Sequence, residues 1–499
     1  MTAKESVEMQ DEHRITIDPV TRLEGHGKID IFMDEEGNVK NAYLQVPELR
    51  GFERFCIGRL VEDLPKITSN ICGVCSPAHH LASAKAVDRL LGVRAPIAAH
   101  KLRELMHNGY IIADHILNFY FLGGPDFLVG INAKPSERNV MGVLKKYGIE
   151  VSREVIKHRA YGQKIVEIVG GKSVHPVTGI PGGLSKPMSK AQRDETEQMA
   201  RSCIDFAEFT LRLYDKVILQ DADNRNLLFD KDFEIRSYDM GLVDSNGKMN
   251  LYDGDIRISG PDGSTYATIK DDEYFDYVSE KVMEWSYVKF PYIKRIGWNG
   301  LTEAPGNGII RVGPLARMNV TKGMATSKAQ EEYERMTKTF KSKPINNIFA
   351  YHWARLIELM YSSERVLELS QDKDITSDEV RNVVKEPSLS EGFGVIEAAR
   401  GTLVHWYKPT KDALVEAVDF IPPTTSNNPA MNVSIRKAAS KAIRNGQVDK
   451  SSLNMVEVAM RTYDPCMACA SHIFGERTYE IRLFDHQARM KRKFLPRQC

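Results

Sequence analysis

Cys72 and Cys75 form one Cys-x-x-Cys pair near the start of the chain, and Cys466 and Cys469 form a second near its end. A fold that brings the pairs together makes a four-thiolate metal site, which constrains the path of nearly everything between them. Thiolates are soft donors that suit nickel, zinc and iron, and a gap of two residues lets both sulfurs of a pair reach one ion. The spacing does not choose among these metals, and a structural zinc site is the plain alternative. Seven cysteines in 499 residues, four of them in these pairs, read as metal chemistry in a reducing compartment rather than as a disulfide framework. Cys56, Cys203 and Cys499 stand outside the pattern as bystanders.

A chain of 499 residues exceeds one ordinary core. With 42% hydrophobic and 27% charged residues it has the composition of a globular protein. A formal net charge of +1 leaves no excess of Lys and Arg to neutralise phosphates, which argues against a nucleic-acid partner. No apolar run reaches the roughly 18 residues of a membrane span. Residues 1–14 are polar and acidic, with no secretory signal. The expected location is the cytoplasm.

Residues 15–17, 27–34 and 39–46 alternate in polarity, the last two around Glu35-Glu36-Gly37-Asn38, which predicts a small antiparallel sheet with a hairpin. From His79 the period becomes helical. Leu81, Ala84, Val87, Leu90 and Leu91 share a face, and residues 98–122 form a second helix with Leu102, Leu105, Met106, Ile112, Ile116 and Phe119 as its stripe. Residues 152–169 and 190–219 read as further helices, separated by Gly179-Ile180-Pro181-Gly182-Gly183. Residues 233–292 are strand-like, with 250–258 and 264–269 flanking Gly260-Pro261-Asp262-Gly263, and 350–369, 433–444 and 452–462 return to helix. The expected fold class is α+β, mainly helical: a long buried helix bundle with small antiparallel sheets. Its expected segments are a β-rich 1–70, a helical 71–232 with the first cysteine pair, an α+β insertion at 233–345, a helical 346–472 with the second pair, and a tail at 473–499.

Three features join the cysteines. His79 follows Cys75 by four residues and His472 follows Cys469 by three, each within about one helical turn of its pair. Asp114 lies inside an apolar helix, where a carboxylate needs a cationic partner, and Arg400 is the candidate. Arg22-Leu23-Glu24-Gly25-His26 and Arg50-Gly51-Phe52-Glu53 set acid and base beside glycines at strand ends.

The order of these motifs resembles the large subunit of nickel-iron hydrogenases. Asp18-Pro19-Val20-Thr21-Arg22-Leu23-Glu24-Gly25-His26 is similar to that family's N-terminal motif. Arg50-Gly51-Phe52-Glu53 with Ile71-Cys72-Gly73-Val74-Cys75 is similar to its first cysteine region, and Asp464-Pro465-Cys466-Met467-Ala468-Cys469-Ala470-Ser471-His472 to its last. The resemblance spans nearly the whole chain. With His79-His80-Leu81-Ala82, the run Tyr351-His352-Trp353-Ala354-Arg355-Leu356-Ile357-Glu358-Leu359 and Asn427-Asn428-Pro429-Ala430-Met431, it looks closest to the cytoplasmic methyl-viologen-reducing type, whose members pass electrons towards heterodisulfide reductase.

Carried over position by position, the resemblance implies that Cys72 and Cys466 bind nickel terminally while Cys75 and Cys469 bridge nickel to iron. The iron would carry carbon monoxide and cyanide, surrounded by Arg400, Pro423 and Thr424. Glu53 and His472 match the side-chain ligands of a magnesium ion, with the carbonyl near Phe420 as a third. Dihydrogen would be split heterolytically. Cys466 is the first choice of base and Arg400, held by Asp114 and Asp464, the competing one; Glu24 would relay the proton outwards. With four cysteines assigned, the remaining three cannot hold an iron-sulfur cluster, so a separate iron-sulfur small subunit is implied, with a further electron-transfer subunit beyond it. The family usually has proline where Ala399 stands and often tryptophan at Ser426. Members are often cut after the histidine matching His472, whereas this chain runs on to Cys499, and alternation over 479–484 would let the tail pair as a strand. Two rivals are a catalytically silent scaffold of the same fold and a zinc-stabilised binding protein.

Overall fold

The computed structural model describes residues 14–283, 285–384, 388–448, 450–471, 481–484 and 490–494. Strands β1 (Arg14–Ile17), β2 (Lys28–Met33) and β3 (Val39–Gln45) form the expected antiparallel sheet in that order. Their period of two buries Ile29, Ile31, Ala42 and Leu44.

The helical frame follows as α1 (Ser76–Leu90), α2 (Ile97–Leu117), α3 (Val140–Gly170) and α4 (Lys190–Tyr214). Helix α2 is buried all round: its apolar stripe is covered, and so are Arg103, Glu104, His107, Asp114 and His115 on its other faces. Helix α3 begins at Val140 rather than at 152, because a kink at Gly148, where φ is +86°, interrupts the 3.6-residue period. Strands β4 (Tyr238–Val243), β5 (Asp255–Ser259), β6 (Thr265–Ile269) and β7 (Ile310–Arg311) make a sheet of order β7-β4-β5-β6, in which only the β7–β4 pair is parallel. The strand expected over 250–258 starts later, since Asn250 Oδ1 accepts from the N–H groups of Tyr252 and Asp253 and turns the chain instead. The structure adds a helix at Ser327–Phe340, whose buried residues are only Ala329, Tyr333 and Met336.

Helix α5 (Ala350–Ser370) leads into an antiparallel sheet that the sequence pattern does not announce: β8 (Gly392–Ala398), β9 (Gly401–Pro409) and β10 (Val415–Ile421). Every residue of β8 is buried, so no alternation marks it. A Cβ at Gly394 would lie 1.9 Å from the Ala82 carbonyl, so glycine is what lets α1 and β8 touch. This sheet shares one apolar core with β4–β7, through Met240, Ile256 and Ile258 against Val395, Val404 and Ile421. Helix α6 (Pro423–Ala442) starts ten residues before the expected 433, with Pro423 at a first-turn position where a missing N–H costs nothing. Helix α7 (Lys450–Arg461) precedes the second cysteine pair. In the tail β11 (Ile481–Phe484) pairs antiparallel with β12 (Met490–Phe494), while Tyr479, Glu480 and Cys499 lie outside the described residues. The architecture is mainly helical α+β, with small sheets around long buried helices.

Candidate metal centre

Each cysteine pair sits where regular structure stops. Cys72 and Cys75 lie between the helical turn Ser69–Ile71 and α1, and the N–H groups of Val74 and Cys75 point at Cys72 Sγ from 3.3 and 3.4 Å. At the other end α7 stops at Arg461, Asp464 takes a left-handed φ of +56°, and Pro465 sends the chain into the single turn Met467–Ala470. The Cys466 N–H donates to Thr424 Oγ1 at 2.9 Å, which fastens this segment to the start of α6. All four Sγ atoms consequently fall within 4.8 Å of one another, Cys72 to Cys466 at 3.5 Å and Cys75 to Cys469 at 3.1 Å, and all four residues are buried.

Four thiols this close cannot all ionise alone. Hydrogen bonds from Cys466, Cys469 and Cys75 hold Cys72 well below the usual thiol range. Burial, with the neighbouring sulfurs behind it, lifts Cys466 and Cys469 well above it. Negative charge gathers on one sulfur, and spreading it over all four needs cations among them. Soft donors with that requirement fit nickel and iron.

Beside the sulfurs is a small cavity, with a volume of about 10 Å³, lined by Cys75, Cys466 and Cys469 and by His79, Tyr110, Arg400, Pro423 and Thr424 among others. Space of this kind, next to a donor-rich wall, fits small ligands on a metal. Arg400 enters it from the two-residue turn between β8 and β9, where Ala398 faces Gly401. Its guanidinium lies 3.0 Å from Asp114 and 3.3 Å from Asp464. Burial works against that charge, but Asp114, Asp464 and Cys466 outweigh it and hold Arg400 well above its usual range. Burial pushes the Asp114 carboxyl up to about 6 even though Arg400 pulls it down.

Opposite, Glu24 reaches the cluster from the loop after β1. Its Oε2 is 2.9 Å from Cys466 Sγ and accepts from the Ala468 N–H at 3.2 Å, while its carbonyl accepts from Met467 N–H at 2.8 Å. Burial raises its carboxyl above the ordinary value, and the charge on Cys72 adds to this. His79 is buried on the cavity wall and begins a chain of side-chain hydrogen bonds: Nδ1 to His405 Nε2 at 3.0 Å, His405 Nδ1 to Tyr407 at 2.7 Å, and Tyr407 to Ser83 at 2.8 Å. Glu53 stands apart on the short helix Phe52–Cys56, which packs near β10, the strand of Phe420. His472 lies outside the described residues. Cys56 and Cys203 are buried away from the cluster.

The structure also brings in residues whose role the sequence pattern does not reveal. Arg317 is buried between Glu358 and Glu397 and donates to the Ala398 and Ala399 carbonyls at 3.0 and 3.3 Å, so it braces the turn that presents Arg400. Tyr110 OH accepts from the Ala399 N–H at 3.2 Å. Glu358 and Glu397 are charges within apolar runs, the signal that singled out Asp114, and the same test applied to them would have found them.

Helices and sheets that close four thiols from both ends of a chain around one buried point define a protein built to hold a thiolate-bound metal centre. Known proteins make that class specific. A family model described as nickel-dependent hydrogenase matches residues 50–140 and 226–472, and one described as HoxL-like matches 14–49. An iron-sulfur subunit of the F420-non-reducing hydrogenase of Archaeoglobus profundus is 43% identical over 479 residues, 96% of this chain and 98% of that protein. A subunit of the F420-non-reducing hydrogenase of Methanothermobacter marburgensis is 36% identical over 95% of this chain and 98% of its own. The crystal structure of an NAD+-reducing [NiFe]-hydrogenase in the H2-reduced state aligns with a TM-score of 0.83 at 35% identity, covering 92% of this chain and 99% of that one. The chain belongs to the nickel-dependent hydrogenase family, as the large subunit of a nickel-iron hydrogenase, an oxidoreductase acting on dihydrogen.

Proposed function

We propose that Cys72, Cys75, Cys466 and Cys469 would hold a nickel-iron centre, Cys72 and Cys466 towards nickel alone and Cys75 and Cys469 towards both metals, with carbon monoxide and cyanide on the iron, and that this centre would supply the reversible heterolytic splitting of dihydrogen. The observation that carries this reading is the convergence of four buried sulfurs from both ends of the chain beside a small cavity. Bound metals supply the polarisation that makes dihydrogen acidic. The Cys466 sulfur takes the proton, and Glu24 Oε2, 2.9 Å away, receives it and passes it outwards. A carboxyl raised by burial suits that task, because acceptance and release are then more nearly balanced near neutral pH. Arg400, tied to Asp114 and Asp464, stays a guanidinium and works as a fixed charge over the cavity rather than as the base. Arg400, Pro423 and Thr424 line the space where the diatomic ligands fit. His79 supports the same wall. Glu53, with His472 and the Phe420 carbonyl, would hold magnesium, whose preference for carboxylate and carbonyl oxygen suits two of the three.

Electrons leave by another route, to an iron-sulfur small subunit. Arg50 Nη1 donates to the Ile71 carbonyl at 2.6 Å and lies 3.5 Å from that of Ala468, so it touches the residue before each of Cys72 and Cys469. It also floors an open groove where Leu49 and Phe55 are 42% and 52% exposed. Through Arg50 the groove is linked to the residue before each of two cluster cysteines, which makes it the face we assign to the small subunit. Relatives named F420-non-reducing hydrogenases support an acceptor other than F420, and the motif resemblance carries the further step of this proposal, onward transfer in the methyl-viologen-reducing manner towards heterodisulfide reductase. Among the described residues no helix is long and apolar enough to cross a membrane. Purification with the natural partners should give about one nickel per large subunit, iron in excess of nickel because the partner's clusters add to it, and hydrogen-dependent viologen reduction. Zinc alone, without activity, would contradict the proposal.

A further inference from the structure

The contact between Glu24 and Cys466 is closed at both ends, and the outer closure is built on a residue far from either. At the inner end the Met467 N–H donates to the Glu24 carbonyl at 2.8 Å. At the outer end Arg461, the last residue of α7 and five before Cys466, donates to the Thr21 carbonyl at 3.2 Å, three residues before Glu24. Arg461 is fully buried and fixed by Asp126, Nε to Oδ2 at 3.0 Å. The same carboxylate binds Arg22, whose Nη1 also donates to the Leu122 carbonyl at 2.6 Å, and Arg138 at 3.1 Å. Glu457 pairs with Arg461 as well. Asp126 is 0% exposed, and three guanidinium groups converge on its carboxylate.

Such a cluster is more than filler. Arg22 has a left-handed φ of +57°, so the backbone just before Glu24 depends on its side chain's anchorage to stay there. Two segments, 21–24 and 461–466, are thereby held by one buried charge centre, and a carboxylate and a sulfur that exchange a proton must keep a hydrogen-bond separation to within a few tenths of an ångström. Among the described residues no hydrogen bond joins Arg22 or Asp126 to a sulfur, so an effect of theirs on turnover passes through the placement of Glu24 or of the segment that carries Cys466.

We infer that Arg22 and Asp126 are positioning residues for the proton transfer between Cys466 and Glu24, the pivot that sets the separation of these two groups. The inference rests on the reading of Glu24 as the proton acceptor. Arg22 is the better probe, because Lys keeps the charge while losing the second hydrogen bond, and Gln loses both.

In the complex with its natural partners, Arg22→Gln should keep its nickel and its KM for dihydrogen while kcat with viologen falls by on the order of 10²-fold and the solvent deuterium isotope effect rises. Arg22→Lys should recover part of that loss, and Asp126→Asn, if it folds, should repeat the Gln pattern. Glu24→Gln is assayed alongside. If Glu24→Gln keeps full turnover, the reading beneath the inference fails. If Glu24→Gln loses turnover while Arg22→Gln keeps its kcat and isotope effect, the inference alone is overturned. Nickel and turnover falling in parallel in both Arg22 variants would also overturn it, since that is what a merely structural anchor gives.

Discussion

On one flank of the sulfur cluster the Glu24 carboxylate meets Cys466 and accepts from the Ala468 N–H, and among the described residues no Lys or Arg bonds to it; on the other Arg400 is gripped by two carboxylates at 3.0 and 3.3 Å. Both groups are charged in water, and burial acts against charge on both. On the Glu24 flank burial wins and the carboxyl rises; on the Arg400 flank paired charge wins and the guanidinium is locked in its ionised form. A group left poorly compensated can change its protonation state, while one compensated twice over cannot. The contrast supports the proposed division of roles, in which the first flank moves the proton and the second holds a fixed charge.

The comparison can be broken most severely at the sulfur that both flanks share. Cys466→Ser should abolish nickel retention and lower hydrogen-dependent viologen reduction by more than the roughly 10–100-fold typical of residues that only support a ligand. Metal content and rate are measured together, and a variant with its nickel intact would remove Cys466 from the ligand set. Glu24→Gln should keep both metals and lose turnover by about 10²–10⁴-fold, the usual contribution of a positioned acid or base.

Its pH behaviour sharpens the point. Because the Glu24 pKa is raised, the acid form is favoured in the fold, so its contribution to stability is present at low pH and fades as pH rises through the folded value. Turnover runs the other way: hydrogen oxidation should fall as pH drops through that value, because a protonated carboxyl accepts nothing, and Glu24→Gln should lack this acid limb. Arg400→Lys should cost less, about 10–100-fold, with metals retained and no shift of the acid limb, since one ammonium cannot reproduce the fork between Asp114 and Asp464. A shifted limb would make Arg400 part of the proton path. Smallest is Phe55→Asp in the groove above Arg50, expected to weaken binding of the iron-sulfur partner about tenfold while leaving the metal content unchanged.

The parts of this site legible in the sequence are those whose chemistry shows in residue type and spacing. The cysteine pairs announced a common point because thiols at a two-residue gap have few other uses, and Asp114 announced a cationic partner because it interrupts an apolar helix. What stayed hidden was whatever depends on packing from both sides. Strand β8 is buried on both faces and so shows no alternation, and with it went the turn that carries Arg400 and the Arg317 brace beneath it. The start of α6 was masked by Pro422, Pro423 and Pro429, which read as breakers although Pro423 occupies a position where proline is welcome. The Asp126 cluster was invisible for a third reason: Arg22, Asp126, Arg138 and Arg461 are ordinary charges in sequence and meet only in the fold.

The most direct test of the metal assignment is anomalous diffraction at the nickel and iron edges on the purified complex, with infrared absorption in the carbon monoxide and cyanide region from the same preparation. Nickel bonded to all four sulfurs, iron sharing only Cys75 and Cys469 with it, and the diatomic bands would meet the prediction. A single zinc ion among the four sulfurs, without bands, would contradict it.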